Sequence, residues 1–204
     1  MEIEVTGILL AGGQSRRMGE DKRYLLVGEQ TLLERGLSVL RSIFQEVLVV
    51  IAQDSPPLRI DAVVVRDLVP DCGSLGGLYT GLMQATTPCI FAVASDMPFL
   101  DKAVIAQFTS RRTTADIVMA KLASGLHPMH ALYGKRCLPA LEQMIRARQL
   151  KLQELVSQPS LRVQYLTEAE LSSIDPSGRS FYNVNTLADL DAARSLLTRV
   201  PPSG

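Results

Sequence analysis

Val5-Thr6-Gly7-Ile8-Leu9-Leu10 runs straight into Ala11-Gly12-Gly13-Gln14-Ser15-Arg16-Arg17-Met18-Gly19-Glu20-Asp21-Lys22. The first six residues are almost continuously apolar, the pattern of a strand buried on both faces of a mainly parallel sheet. The segment after them holds three glycines, two adjacent arginines and a lysine. Glycine has no Cβ, so its backbone amide can come close to a ligand. Successive exposed amides make a concavity that binds anions. Arg16, Arg17 and Lys22 add positive charge and donors suited to phosphate. Ligands of open α/β sheets bind beyond the carboxyl ends of strands, where this segment begins. All three arguments point to a phosphorylated ligand. The segment is neither a P-loop nor a dinucleotide fingerprint, because Gly-Lys-Ser/Thr and G-x-G-x-x-G are both absent.

Outward from that segment, short apolar runs alternate with helical patterns. Val47 to Ala52, Ala62 to Val65, Cys89 to Ala94 and Ile117 to Ala120 read as further strands. Thr31-Leu32-Leu33-Glu34 is a capping-box pattern, followed by Leu33, Leu37, Leu40 and Phe44 at helical spacing. Ser74 is placed to cap a helix running to about Ala85, and Asp101 one reaching Arg111. Pro139 falls early in a helix through Leu141, Met144 and Ile145. Thr186 followed by Asp189 opens the last helix, with Leu187, Leu190, Ala193 and Leu197 on one face. The alternation predicts a single-domain, three-layer α/β/α sandwich over residues 1–200 with a Rossmann-like, mainly parallel sheet. The tail 201–204 is expected to be disordered. Ala11 to Gln30 reads as a structureless loop of about twenty residues, long enough to suggest a function.

Composition narrows the function classes. Apolar residues are 47% of the 204 and charged residues 21%, a globular balance that excludes a mostly disordered chain. Twenty-one basic residues cancel 21 acidic ones. With no basic block, duplex nucleic acid is not an expected partner. Ten Phe and Tyr with no Trp give little material for stacking single strands. Cys72, Cys89 and Cys137 fit neither a disulfide framework nor zinc-finger spacing, and read as free buried thiols of a reducing compartment. Neither a signal peptide nor a membrane span is read, and a cytoplasmic location is expected.

Candidate chemistry also lies downstream. Asp96 follows an apolar run, at a strand's carboxyl end. A hard divalent cation takes one or two carboxylates plus phosphates and waters, so Asp96 reads as a metal ligand or as the cap of the Met97-Pro98 turn. Asp67 lies just past the third strand, where a turn residue is the plain alternative to a ligand contact. His127 and His130 lack a third metal ligand and read as structural or substrate-lining. Asn183 and Asn185 would face one side of an extended strand, unless one of them serves the turn into the Thr186 helix.

Leu10-Ala11-Gly12-Gly13-x-Ser15-x-Arg17-Met18-Gly19-x-Asp21-Lys22 resembles the nucleotidyltransferase signature of molybdenum cofactor guanylyltransferases. Cytidylyl- and sugar-nucleotide transferases carry looser versions of it. The likeness continues through Asp67 with Gly73-Ser74-Leu75-Gly76-Gly77, Ser95-Asp96-Met97-Pro98-Phe99, His127-Pro128 and Asn183-Val184-Asn185-Thr186. Ser74 and Gly76 stand where family members often have Pro and Ala, and Ile51 lies near a position where some have Asn. The resemblance implies a nucleotidyltransferase fold of the glycosyltransferase-A kind, and transfer of GMP from GTP to molybdenum-molybdopterin. It implies Arg17, Lys22 and Asp96 as catalytic residues. Leu10, Ala11, Gly12, Gly13, Lys22, Asp67, Gly77 and Asp96 would bind the nucleotide. Asp96 would hold Mg²⁺, and Asn183 and Asn185 would meet the pterin. It further implies other molybdenum cofactor biosynthesis proteins and apo-molybdoenzymes as partners.

Overall fold

The computed structural model describes residues 4–12 and 21–198. In chain order its strands and α-helices are β1 (Val5–Leu10), β2 (Leu26–Val27), β3 (Gln30–Thr31), α1 (Leu32–Arg41), β4 (Val47–Ile51), β5 (Val63–Arg66), α2 (Gly73–Gln84), β6 (Cys89–Ala94), α3 (Lys102–Thr109), β7 (Ile117–Leu122), β8 (Gly125–Gly134), α4 (Leu138–Arg146), β9 (Val163–Thr167), α5 (Glu168–Ser172) and α6 (Leu187–Thr198). Seven strands form one sheet in the order β5-β4-β1-β6-β8-β7-β9. All neighbouring pairs are parallel except those of β8, which runs antiparallel to β6 and β7.

The alternation of side chains along each strand feeds two separate cores. Val5 and Leu9 of β1 and Phe91 and Val93 of β6 face one side, where Leu33 and Leu37 of α1 and Val104 and Phe108 of α3 cover them. Ile8, Ile90 and Ala92 face the other, against Leu75, Leu78 and Leu82 of α2 and Leu141 and Met144 of α4. Burial on both faces is the reason these strands are nearly all apolar, and the layers are those expected from the sequence. A smaller third cluster joins Val27 and Leu32 to Val184, Leu190 and Ala193, seating α6 on the β2–β3 hairpin. No helix of the described residues is long and apolar enough to cross a membrane. The three cysteines are free and buried, and burial pushes the Cys137 thiol up to about 12.

Local signals were read well where capping chemistry decides. Thr31 and Glu34 form the full capping box of α1, and Asp101 accepts from Ala103 and Val104 at the start of α3. Thr186 and Asp189 bond reciprocally at the start of α6. Four expectations change. Ser74 is inside the first turn of α2, whose N-cap is Cys72 with no side-chain cap bond. The α3 helix ends at Thr109, short of Arg111. Leu187 is 60% exposed rather than on the packed face of α6, since the chain has only begun to turn there. Of the expected loop 11–30, residues 13–20 lie outside the described residues, and 21–30 are not structureless. Lys22–Tyr24 form a 3₁₀ turn, and Gly28, at φ +70°, closes the β2–β3 hairpin where a Cβ would strike Leu197.

The sequence reading had no element for β8. Its ten residues include Pro128 and both histidines, which obscure the strand pattern. The pairing with β7 shifts register there, Met119 facing Ala131 and Ala120 facing His127, so Pro128 sits in the irregularity and costs the ladder little. The shift lets both imidazoles meet the Phe181 ring, at 5.1 Å for His127 and 4.5 Å for His130.

His130 is fully buried and bonds the Ser180 carbonyl through Nδ1. Burial lowers its pKa to about 3, the Ser180 bond and Asp175 opposing this weakly and His127 adding to it. An unfolded chain takes up this proton near pH 6.5 and the fold does not, so stability is complete above that pH and falls as pH drops toward 3. Between pH 7 and 5 this ring is expected to remove about 2 kcal/mol, at ~1.4 kcal/mol per unit below 6.5. Urea unfolding of His130→Asn at both pH values should show a loss smaller than the parent's by that amount.

Candidate active site

Backbone bonds carry the central strands' carboxyl ends to one rim. The Ala11 N–H donates to Val50, Ser95 to Leu10 and Asp67 to Ile51, at 2.8, 3.0 and 2.8 Å. Register does the rest, with Leu10 opposite both Val50 and Ala94. Gly12, Asp67 and Asp96 therefore emerge together, over a cleft of about 800 Å³. Leu10, Gly12, Lys22, Asp67, Gly77 and Asp96 all line it. Ala11 does not, being 2% exposed with its N–H and carbonyl both bonded. Gly13, Arg16 and Arg17 lie outside the described residues.

The Lys22 ammonium lies 2.5 Å from Asp96 Oδ2, with the two side chains only 19% and 15% exposed. The other carboxylate oxygen, Oδ1, is buried with no hydrogen-bond partner among the described residues. A buried oxygen without a partner is costly, and carboxylate oxygens are the preferred ligands of hard cations. Among the described residues no group of three or more His, Cys, Asp or Glu could hold a metal, so a cation at Asp96 would need further oxygens from outside the protein. Its donor chemistry fits a divalent cation completed by phosphate and water oxygens.

The start of α2 faces the same space. Gly73 and Ser74, in its uncapped first turn, line the cleft. Free N–H groups and the helix dipole make such an end attractive to anions. Gly73 and the preceding Asp71 both have positive φ, at +57° and +60°. At Gly76 a Cβ would approach Val69 O to 2.7 Å and Asp67 Oδ2 to 3.0 Å, so α2 abuts the Asp67 turn directly. Asp67 has the turn role its position allows, Oδ1 accepting from Val69 N–H and the buried Thr80 hydroxyl at 3.0 and 2.8 Å, while its residue also lines the cleft.

Segment 182–185 crosses behind Asp96, whose carbonyl accepts from Val184 N–H at 2.9 Å. No strand forms there, and neither asparagine is among the residues lining the cleft. The Asn183 amide donates to the Phe181 carbonyl, and the Asn185 N–H to Asp189. His127 lies half-buried against Phe181. The sequence reading passed over Gln53 and Asp54 of the cleft wall, which nothing in their type singled out. It also passed over Arg23, a buried arginine bonded to Asp21 and to the Ala11 carbonyl.

A glycine-edged strand end with a lysine paired to a strand-end carboxylate over one cleft of an open sheet fits a nucleotidyltransferase. Residues 7–163 match the model of the MobA-like NTP transferase domain, and the chain belongs to that family. It is 34% identical to the probable molybdenum cofactor guanylyltransferase of Pelotomaculum thermopropionicum, over 94% of this chain and 93% of that one. It is 32% identical to the molybdenum cofactor guanylyltransferase of Desulfosudis oleivorans, over 95% and 96%. The crystal structure of molybdopterin-guanine dinucleotide biosynthesis protein A from Archaeoglobus fulgidus superposes with a TM-score of 0.83 at 25% identity, covering 96% of this chain and all of that one.

The Asp67 contacts make a separable prediction. Asp67→Ala leaves the Thr80 hydroxyl and Val69 N–H without an acceptor and should lower stability by about 1–3 kcal/mol. Asp67→Asn keeps an acceptor oxygen and should melt close to the parent. Thermal denaturation of the two variants side by side checks this.

Proposed function

We propose that this protein transfers GMP from GTP to the terminal phosphate of molybdenum-molybdopterin, releasing pyrophosphate and forming molybdopterin guanine dinucleotide, with Mg²⁺ held at Asp96. The observation that carries the reading is the meeting of Lys22 and Asp96 at the strand-end cleft, with one Asp96 oxygen lacking a partner among the described residues. The choice of GTP and of the pterin acceptor is supported by the names of the relatives.

The attacking oxygen of the acceptor phosphate is already anionic, so the reaction needs no strong general base. Its barrier is the approach of two anions in line at the α-phosphorus, which positioning and electrostatics lower. Bound Mg²⁺ would offset charge on the phosphate oxygens. Lys22 neutralises Asp96 in the free protein and turns its ammonium to the triphosphate when nucleotide enters. Its charge then favours departure of pyrophosphate. Arg17, from the same signature, is assigned to the triphosphate as well. The Gly12 backbone can approach the nucleotide because no side chain intervenes. A Cβ on Gly12 would lie 3.1 Å from the Ala52 nitrogen, so the position takes little else. Leu10, Gly13, Asp67 and Gly77 complete the proposed nucleotide contacts. Asn183 and Asn185, behind Asp96, are assigned to the pterin side.

Pyrophosphate release with each NTP, Mg²⁺ and molybdenum-loaded pterin should favour GTP. Asp96→Ala and Lys22→Ala are each expected to lose ~10²–10³ in kcat, with melting temperatures near the parent's. Near-parental GMP transfer by either variant overturns the assignment. A second expectation concerns the metal alone. An ammonium on Oδ2 competes with a cation, so Lys22→Met should bind Mn²⁺ more tightly than the parent when no nucleotide is present. Titration followed by electron paramagnetic resonance reads this without any turnover.

A further inference from the structure

Arg23 is 6% exposed, and its guanidinium ties three points together. Nε lies 2.8 and 2.9 Å from the two Asp21 carboxylate oxygens, and Nη2 lies 2.5 Å from Oδ2. Nη1 donates to the Ala11 carbonyl at 3.1 Å. Asp21 Oδ1 also accepts the Arg23 backbone N–H at 3.1 Å, capping the 3₁₀ turn Lys22–Tyr24. One buried side chain thus joins the residue before Gly12 to the turn that carries Lys22.

Each end of this tie is fixed in turn. The Ala11 N–H is bonded to Val50, so the residue is held on both its donor and its acceptor side. On the other end, Tyr24 N–H donates to Asp21 and Leu25 N–H to Lys22, and the Leu25 carbonyl accepts from Leu32 at the start of α1. Lys22 stands between the two members of the pair. The pair stays ionised, because the Arg23 bonds hold the Asp21 carboxyl below its usual range and raise the guanidinium further.

A buried ion pair is weak evidence for stability. Its desolvation cost can match its attraction, and apolar residues of similar volume often replace such pairs at no loss. Orientation is the better account here, since a planar fork bound to both carboxylate oxygens allows one geometry. We infer that Asp21 and Arg23 form a positioning pair for Lys22. They set the turn from which the ammonium reaches Asp96 and the nucleotide, and they hold Ala11 and Gly12 at a fixed separation from it. The inference rests on the proposed role of Lys22 as a phosphate-binding group.

A double-mutant cycle separates this from a purely structural role. Calorimetry reads GTP affinity with Mg²⁺ for the parent, Arg23→Met, Lys22→Ala and the double variant, and pyrophosphate release gives kcat for the first two. Arg23→Met should melt within a few degrees of the parent yet lose about tenfold or more in kcat, as small misplacements of positioning groups do. Arg23→Lys keeps the charge without the fork and should not restore the rate. In the Lys22→Ala background, Arg23→Met should weaken GTP binding no further. Parental kcat and affinity in Arg23→Met overturn the inference, as does a full additional loss of affinity in the double variant. If Arg23→Met does not fold, Asp21→Asn takes its place in the cycle, since it spares the Ala11 bond. A parent that transfers no GMP overturns the functional reading instead, and the binding cycle still judges the pair.

Discussion

The parallel registration of β1 between β4 and β6 is the constraint on which the site depends. Leu10 pairs with Val50 on one side and Ala94 on the other, so three strands end at nearly one level. The residues just past those ends, Gly12, Ala52 and Asp96, are brought together by the backbone ladder, which sets Gly12 directly against the Ala52 backbone. A slip of one residue would exchange the side chains that fill the two cores, so close packing on both sides fixes the register. The sheet thereby supplies precision that the following loop needs only to extend.

What the sequence made legible follows from the same constraint. A strand buried on both faces is written as an unbroken apolar run, and the runs at Val5, Val47 and Cys89 are the central parallel strands. Capping signals were also legible, because Thr31 with Glu34 and Asp101 act within three or four residues of themselves. Asp96 and Asp67 were legible as strand-end carboxylates because position after an apolar run is itself the information. The family resemblance added the chemistry that position alone leaves open.

The rest was not local. β8 depends on a register shift that only its partner β7 explains, and Pro128 and two histidines mask its pattern. β2 and β3 have two residues each, too short for periodicity, and they exist because α6 closes a third cluster over them. Ser74 looked like a cap, yet the uncapped start of α2 opens on the cleft, where a local rule yields to the site. Arg23 has the composition of a solvated surface residue and becomes a buried clasp only when Ala11 and Asp21 are brought to it. Asn183 and Asn185 do not share a strand, and Asn185 takes the alternative role of serving the turn into α6, while the chain there also bonds the Asp96 carbonyl.

The charge lining the cleft argues for the form in which nucleotide enters. Among the described lining residues, Asp54, Asp67, Asp71 and Asp96 face a single lysine, Lys22, which is already engaged with Asp96. Free triphosphate carries several negative charges and would meet a surface whose described side chains are net acidic. A triphosphate already neutralised in part by a divalent cation meets the same surface on better terms. On the proposed function Asp96 would hold the cation, which would leave the Lys22 ammonium available to the phosphates. On the same reading, the acidic residues of the described lining would favour the metal complex over the bare anion, and the amides at Gly12 and at the start of α2 would contribute anion binding beside Arg17 without adding a mobile charge. Such an arrangement keeps the field at the reacting phosphorus fixed before the acceptor arrives, which is the condition for electrostatic catalysis without reorganisation.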